Sequence, residues 1–330
     1  MNAYIGIDIA KKTYTVAVRM DGKVKSNEFE NKSDGHNKML KWVKKITKEA
    51  DRCFILEATS TYHLDCALFL HQKGETVCVV NPRFIHNFRK ALGYENKTDI
   101  TDAQVIAHYG EVKKPEYWQP PSKNIAILRD LVNRREELLK MRQQEKNRLC
   151  VPLVSEKRRK SVQRVIATLD EEINEIEEEI KHLVKGDPKI QKQVELLRTI
   201  KGIDWKIAIT LVAVIGDINL FANKRELISF LGVNPQNSHS GSSVHHSRLS
   251  KNGSAIARKH LFIAAKIGSR WDPIFRKYKE KLIARGKLWK TAICALMRKI
   301  TGIIYAILKT QNPFSYEIYQ KTQEKFQFSA

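Results

Sequence analysis

The chain has 330 residues, 42% of them hydrophobic, and a net charge of +23. That length and apolar content suit two domains with real cores. No run of eighteen apolar residues occurs, which argues against a membrane span. The five cysteines, at 53, 66, 78, 150 and 294, form no CxxC pair. They read as reduced thiols of a cytoplasmic protein without structural zinc.

The opening MNAYIGIDIA lacks a basic stretch and reads directly as a strand, so no signal peptide is expected. TYTVAVRM and KVKSNEFEN follow as two more strands, joined at Asp21-Gly22, a hairpin signal. SDGHNKMLKWVKKITKEA has a serine in capping position and helical spacing. RCFILEATS and TVCVVNP read as short buried strands, separated by the helix YHLDCALFLHQKG. Helices are expected around 83–92 and 99–112. The pattern predicts an α/β domain with a mixed sheet over residues 1–121.

KPEYWQPPS is a proline-punctuated linker. Beyond it, residues 122–187 are helical in pattern. Val162, Ile166, Leu169, Ile173, Ile176, Ile180 and Leu183 recur at alternating spacings of four and three. This is a coiled-coil seam. Pro152 is expected to break a first helix (123–150) from a second, giving a helical hairpin. The seam is expected to pair between chains, the alternative being packing within its own domain.

Residues 188–330 form a third, mostly helical segment. LLRTIKGIDWKIAITLVAVIGD predicts two helices joined around Gly202, in the manner of a helix–hairpin–helix. Asp204 and Lys201 stand where that motif favours glycine and proline. The stretch 237–254 reads as a polar loop. Charge is uneven: residues 1–121 carry a net +4, 122–187 a net +2 and 188–330 a net +17. A polyanion, nucleic acid above all, is the partner this charge suits.

Four carboxylates attract attention. Asp8 and Glu57 follow apolar residues in buried strand patterns, where a charge is unusual. Asp99 and Asp102 are three apart at a helix start. Helix-dipole stabilisation explains that pair by itself. However, if the first strand neighbours the strand after the first helix, all four converge. Converging carboxylates suit a hard divalent cation, Mg²⁺ or Mn²⁺, near phosphates. The loop HSGSSVHHSRLSKNG contains serines, histidines and cations. By composition it is either a flexible linker or the seat of a serine nucleophile.

YIGIDIAK, LEATSTY, VNP, NKTDITDA, SGSSV and MRKI, in that order and spacing, resemble the DEDD transposases of the insertion-sequence-110 family. The family includes pilin-gene DNA invertases and bridge-RNA-guided recombinases. The resemblance implies a RuvC-like, ribonuclease H-like N-terminal domain, a coiled-coil segment and a C-terminal transposase domain. Its tetrad would fall on Asp8, Glu57, Asp99 and Asp102, holding Mg²⁺. Its nucleophile would be Ser240, forming a phosphoserine link to DNA with help from that metal site. It further implies donor and target double-stranded DNA, a bridge non-coding RNA, a homo-oligomer from dimer to tetramer with sites shared between protomers, and a prokaryotic, nucleoid-associated setting. Where the family commonly continues with Arg-Gly after SGSSV, this chain has His245-His246. An invertase without guide RNA, and a junction nuclease using water, remain the alternatives.

Overall fold

A computed structural model describes residues 2–58, 62–93, 98–150, 155–240 and 244–317, with the backbone alone described along 237–240 and 244–248. The chain divides into two compact units, Met1–Pro120 and Pro121–Ala330.

The first unit is a five-stranded mixed sheet between helices. Strands β1 (Asn2–Ile9), β2 (Thr13–Met20) and β3 (Lys23–Glu30) form an antiparallel meander. The β2–β3 turn is two residues long, with Asp21 and Gly22 both at positive φ (51° and 74°). This is the twist that tight hairpins require. Helix α1 (Ser33–Thr47) leads to β4 (Asp51–Glu57), and α2 (Leu64–Gln72) to β5 (Thr76–Val80). Helices α3 (Pro82–Ala91) and α4 (Asp99–Lys113) complete the unit. The strand order is β3-β2-β1-β4-β5, with β4 parallel to both β1 and β5. This mixed sheet is consistent with a ribonuclease H-like domain.

The strands' period of two separates the faces. Ile5, Ile7, Phe54 and Leu56 pack with Met39 and Val43 of α1 and Leu70 of α2. On the other face Ile55 and Cys78 meet Ile85 of α3 and Val105 and Ile106 of α4. The serine expected to cap α1 is instead its first residue. Lys32 holds the cap position and makes no side-chain cap bond. The helix entry is set by Gly35, where a Cβ would strike the backbone of Glu30.

The second unit begins with α5 (Lys123–Leu149) and α6 (Glu156–Gly186), an antiparallel helical hairpin. The break expected at Pro152 lies outside the described residues. The heptad seam packs on α5 of its own chain: Leu169, Ile173 and Ile176 meet Leu138 and Leu139. Ile180 and Val184 enter a larger core with Ile125, Leu128 and Val132. The pairing expected between chains is thus taken up inside one chain. The seam specifies an apolar partner helix, and α5 provides it.

The same core continues through α7 (Pro188–Arg198), α8 (Trp205–Ile215) and α9 (Lys224–Phe230). Gly202, at φ 99°, joins α7 to α8. Asp204 caps α8, its Oδ1 accepting from Ile207 N at 2.8 Å. That carboxylate occupies the helix end a phosphate would otherwise use. Residues 235–249, expected to lie in a loop, form an antiparallel hairpin of β6 (Pro235–Ser240) and β7 (Val244–Leu249). Helices α10 (Ala255–Trp271), α11 (Pro273–Ala284) and α12 (Trp289–Thr310) close the unit. By length and composition α12 could cross a membrane, yet Ile293, Leu296, Ile300 and Ile304 are buried in the core.

Candidate active site

Two strands and one helix bring the acidic residues to one end of the sheet. Ile7 of β1 pairs with Leu56 of β4, and the next residue on each strand is Asp8 and Glu57. Both carboxylates therefore stand at the same level of neighbouring parallel strands. By alternation they share the face of Gly6 and Ile55, which α4 covers.

Helix α4 lies close to that face because the facing residues are small. A Cβ at Gly6 would strike the backbone of Ala103 and Ala107, and one at Gly110 would strike Ile55. Ala17, paired with Gly6 on β2, packs against the same two alanines. At its far end α4 is tied to β2, Arg19 Nε donating to Glu111 Oε2 at 2.5 Å.

These contacts orient the helix antiparallel to β1, so its amino end overlies the carboxyl ends of β1 and β4. Asp8 lies about 7 Å along the strand from Gly6. From the middle of the Ala103–Ala107 contact, Asp102 and Asp99 lie about 5 and 9 Å along the helix axis. Asp8 therefore falls between them in height. Thr98 caps the helix with a capping box, its Oγ1 accepting from Thr101 N at 3.2 Å and Thr101 Oγ1 accepting from Thr98 N at 3.0 Å. The positive end of the α4 dipole eases the concentration of negative charge.

The four are not drawn into one cluster. Asp102 is ion-paired with Arg89 of α3, both side chains largely buried. Asp99 is exposed. Among the described residues no three His, Cys, Asp or Glu side chains are grouped to hold a metal ion. Arg89 and the Thr98 cap escaped the sequence reading. The cap had a signal, a threonine directly before an acidic first turn. Arg89 had none, because its meeting with Asp102 depends on how α3 crosses α4.

Ser240 ends β6, where it pairs with Val244 across the hairpin tip. Gly241, Ser242 and Ser243 lie outside the described residues. His239 pairs with His245 and Ser238 with His246 in the same ladder. At the base, Ser250 N donates to Asn234 O at 2.9 Å. The serine thus belongs to a defined hairpin in the second unit and the carboxylates to the first.

The comparisons agree with this division. Residues 5–157 match the transposase family model for DEDD proteins of the IS110 type, and residues 194–280 match the transposase model for the IS116/IS110/IS902 family. The pilin gene-inverting protein of Moraxella bovis is 32% identical over 321 residues, covering 96% of this chain and 99% of the relative. Its Moraxella lacunata counterpart is 32% identical over the same span. The transposase for insertion sequence element IS1111A of Coxiella burnetii is 28% identical over 155 residues, 44% of this chain and 40% of the relative. The chain therefore belongs to the IS110 family of transposases and pilin-gene-inverting recombinases, and it is a DNA recombinase.

Proposed function

We propose that this recombinase exchanges strands of donor and target duplex DNA using two centres, the carboxylates Asp8, Glu57, Asp99 and Asp102 and the hydroxyl of Ser240. The observation that carries the reading is the level pairing of Asp8 with Glu57 under the amino end of α4. A sheet end with that much negative charge suits a polyanionic substrate only if a cation joins it.

An all-oxygen donor set of this kind fits Mg²⁺ or Mn²⁺, held by Asp8, Glu57, Asp99 and Asp102. The bound cation would neutralise charge on the phosphate and polarise it for attack. Asp102 joins such a set by exchanging its Arg89 partner for the cation. In the transfer itself the Ser240 oxygen forms a bond to phosphorus and the bond from phosphorus to the DNA sugar oxygen breaks. The serine proton leaves to solvent or a nearby base, and the departing sugar oxygen gains one. A serine hydroxyl needs such activation near neutral pH. Reversal on a second strand would release the enzyme and complete the exchange.

The two centres belong to different compact units, so the reading extends to a homo-oligomer, up to a tetramer, with sites completed between protomers. The basic segment 188–330, net +17, suits both DNA and a bridge RNA that pairs with it. The test is a covalent trap. Wild-type chain incubated with element-end DNA and Mg²⁺ should yield a denaturant-resistant protein–DNA adduct. Ser240→Ala and Asp102→Asn should each abolish it while still binding DNA. An adduct from Ser240→Ala would move the nucleophile elsewhere. Strand cutting by wild type without any adduct would favour water as the nucleophile.

A further inference from the structure

The largest cavity of the second unit lies outside both centres. It measures about 940 Å³ and is bounded by α9, α11, α12 and the chain after α12. Lys224 and Arg225 enter it from the start of α9, and Arg298 and Lys299 from α12. Tyr278 and Phe314 supply ring surface, and no Asp or Glu is among its lining residues. Lys299 Nζ sits 4.1 Å from the centre of the Tyr278 ring.

Two features decide what such a site can take. The charge is of one sign, so the ligand is anionic. The walls are mostly apolar and concave, so the ligand also carries a flat or apolar body. A DNA duplex offers only its outer phosphates to a surface and has nothing to insert. An unpaired nucleotide has both parts, a phosphate for the mouth and an aromatic base for the walls. Exposed Lys224, Arg225 and Arg298 surround the opening, while Lys299 and Tyr278 lie deeper. Burial, together with the nearby charge of Lys281, holds the Lys299 ammonium below its usual range. A phosphate arriving there would reverse that penalty.

The cavity also borders the start of the serine hairpin. Asn234 and Pro235 line it, and Pro235 opens β6. Ser240 is five residues along that strand, about 17 Å away at strand rise. We propose that this cavity receives an unpaired nucleotide of single-stranded DNA, holding a strand that has left its duplex during exchange. This rests on the DNA-exchange reading above and names the form of substrate that the second unit grips.

The test uses the full chain and fluorescence anisotropy with labelled oligo-dT of about twelve nucleotides, an equal-length duplex and oligo-U. Tyr278→Ala and Arg298→Gln should each weaken oligo-dT binding at least about fivefold and duplex binding less than about twofold. Tyr278→Phe should keep wild-type affinity, since the ring remains. Lys189→Gln, an exposed change on α7 outside the cavity, should affect the single strand and the duplex alike. Melting curves confirm that each variant is folded, and Arg298→Gln keeps the test open if Tyr278→Ala is not. Unchanged oligo-dT affinity, or equal losses on duplex and single strand, overturns the proposal. Tighter binding of oligo-U, lost in the same variants, overturns the assignment to DNA. A wild-type chain that forms the Ser240 adduct while the cavity variants bind oligo-dT normally defeats only this inference. A wild-type chain that forms no adduct defeats the exchange reading itself.

Discussion

Arg89 of α3 and Asp102 of α4 form an ion pair with side-chain exposures of 12% and 16%. A carboxylate that shielded from water needs a positive partner. In the proposed centre two cations compete for it, the guanidinium and a divalent metal. Arg89→Gln should therefore lower stability in metal-free buffer by about 3 kcal/mol, because Asp102 keeps its charge and loses its partner. Mn²⁺ should restore most of that loss and should bind the variant more tightly than wild type by calorimetry. If Mn²⁺ leaves the variant's melting temperature where it was, Asp102 is not a metal ligand.

The approach of α4 to the sheet rests on Gly6. Gly6→Ala sets a methyl group against the backbone of Ala103 and Ala107, and backbone cannot rotate aside. The helix must lift, which should cost about 1–3 kcal/mol. Lifting also carries Asp99 and Asp102 away from Asp8 and Glu57. We expect the variant to fold with a lowered melting temperature and to lose adduct formation more than DNA binding. Wild-type adduct yield would show that the height of α4 over β1 is unimportant to the chemistry.

The sequence analysis found the sheet because its strands are punctuated apolar runs, and it found Asp8 and Glu57 because each interrupts such a run. It missed contacts that depend on packing between elements. Arg89 is thirteen residues from Asp102, a separation with no helical or strand meaning. The β6–β7 hairpin was hidden by composition, since NSHS and VHHSRL hold few residues that favour strands. The heptad seam announced a partner helix without saying which chain would provide it. A pattern of apolar residues records that a face is buried, and not against what.

Two histidines give the fold a shared response to acid. His36 is buried against Tyr14, whose hydroxyl is 3.0 Å from Nδ1, and burial pushes its pKa below the ordinary 6.5 despite the charge of Asp65. His260 is lowered in the same way, chiefly by burial and further by Arg135 and Lys259, against the pull of Glu136. The unfolded chain therefore takes up more protons than the folded one as pH falls below 6.5. Stability should be full above that value and should decline on acidification towards the folded pKa values. Burial tends to raise the pKa of Glu136, but Lys259, His260 and Arg135 together hold it below 4.5, adding a further loss at lower pH. Thermal melts from pH 7.5 to 5 should show the decline, and His36→Asn should flatten part of it. A melting temperature that rises on acidification would contradict the sign.

The seam on α6 separates stability from assembly. Ile173 is 4% exposed and packs beside Leu138 of its own chain. Placing a lysine there buries an ammonium without a partner and removes apolar contact, a loss of about 2–5 kcal/mol. Because the partner helix is α5, the loss is intramolecular. Ile173→Lys should lower the melting temperature by the same amount at every protein concentration, and any change in oligomer mass should follow only from unfolding. Val165→Lys, at a position 44% exposed on the same helix, is the control and should leave stability within about 0.5 kcal/mol of wild type. A seam that paired chains would behave differently. Dilution would then lower the wild-type melting temperature, and Ile173→Lys would yield a folded species of smaller mass by light scattering. That outcome would return the seam to the role of an interface between protomers.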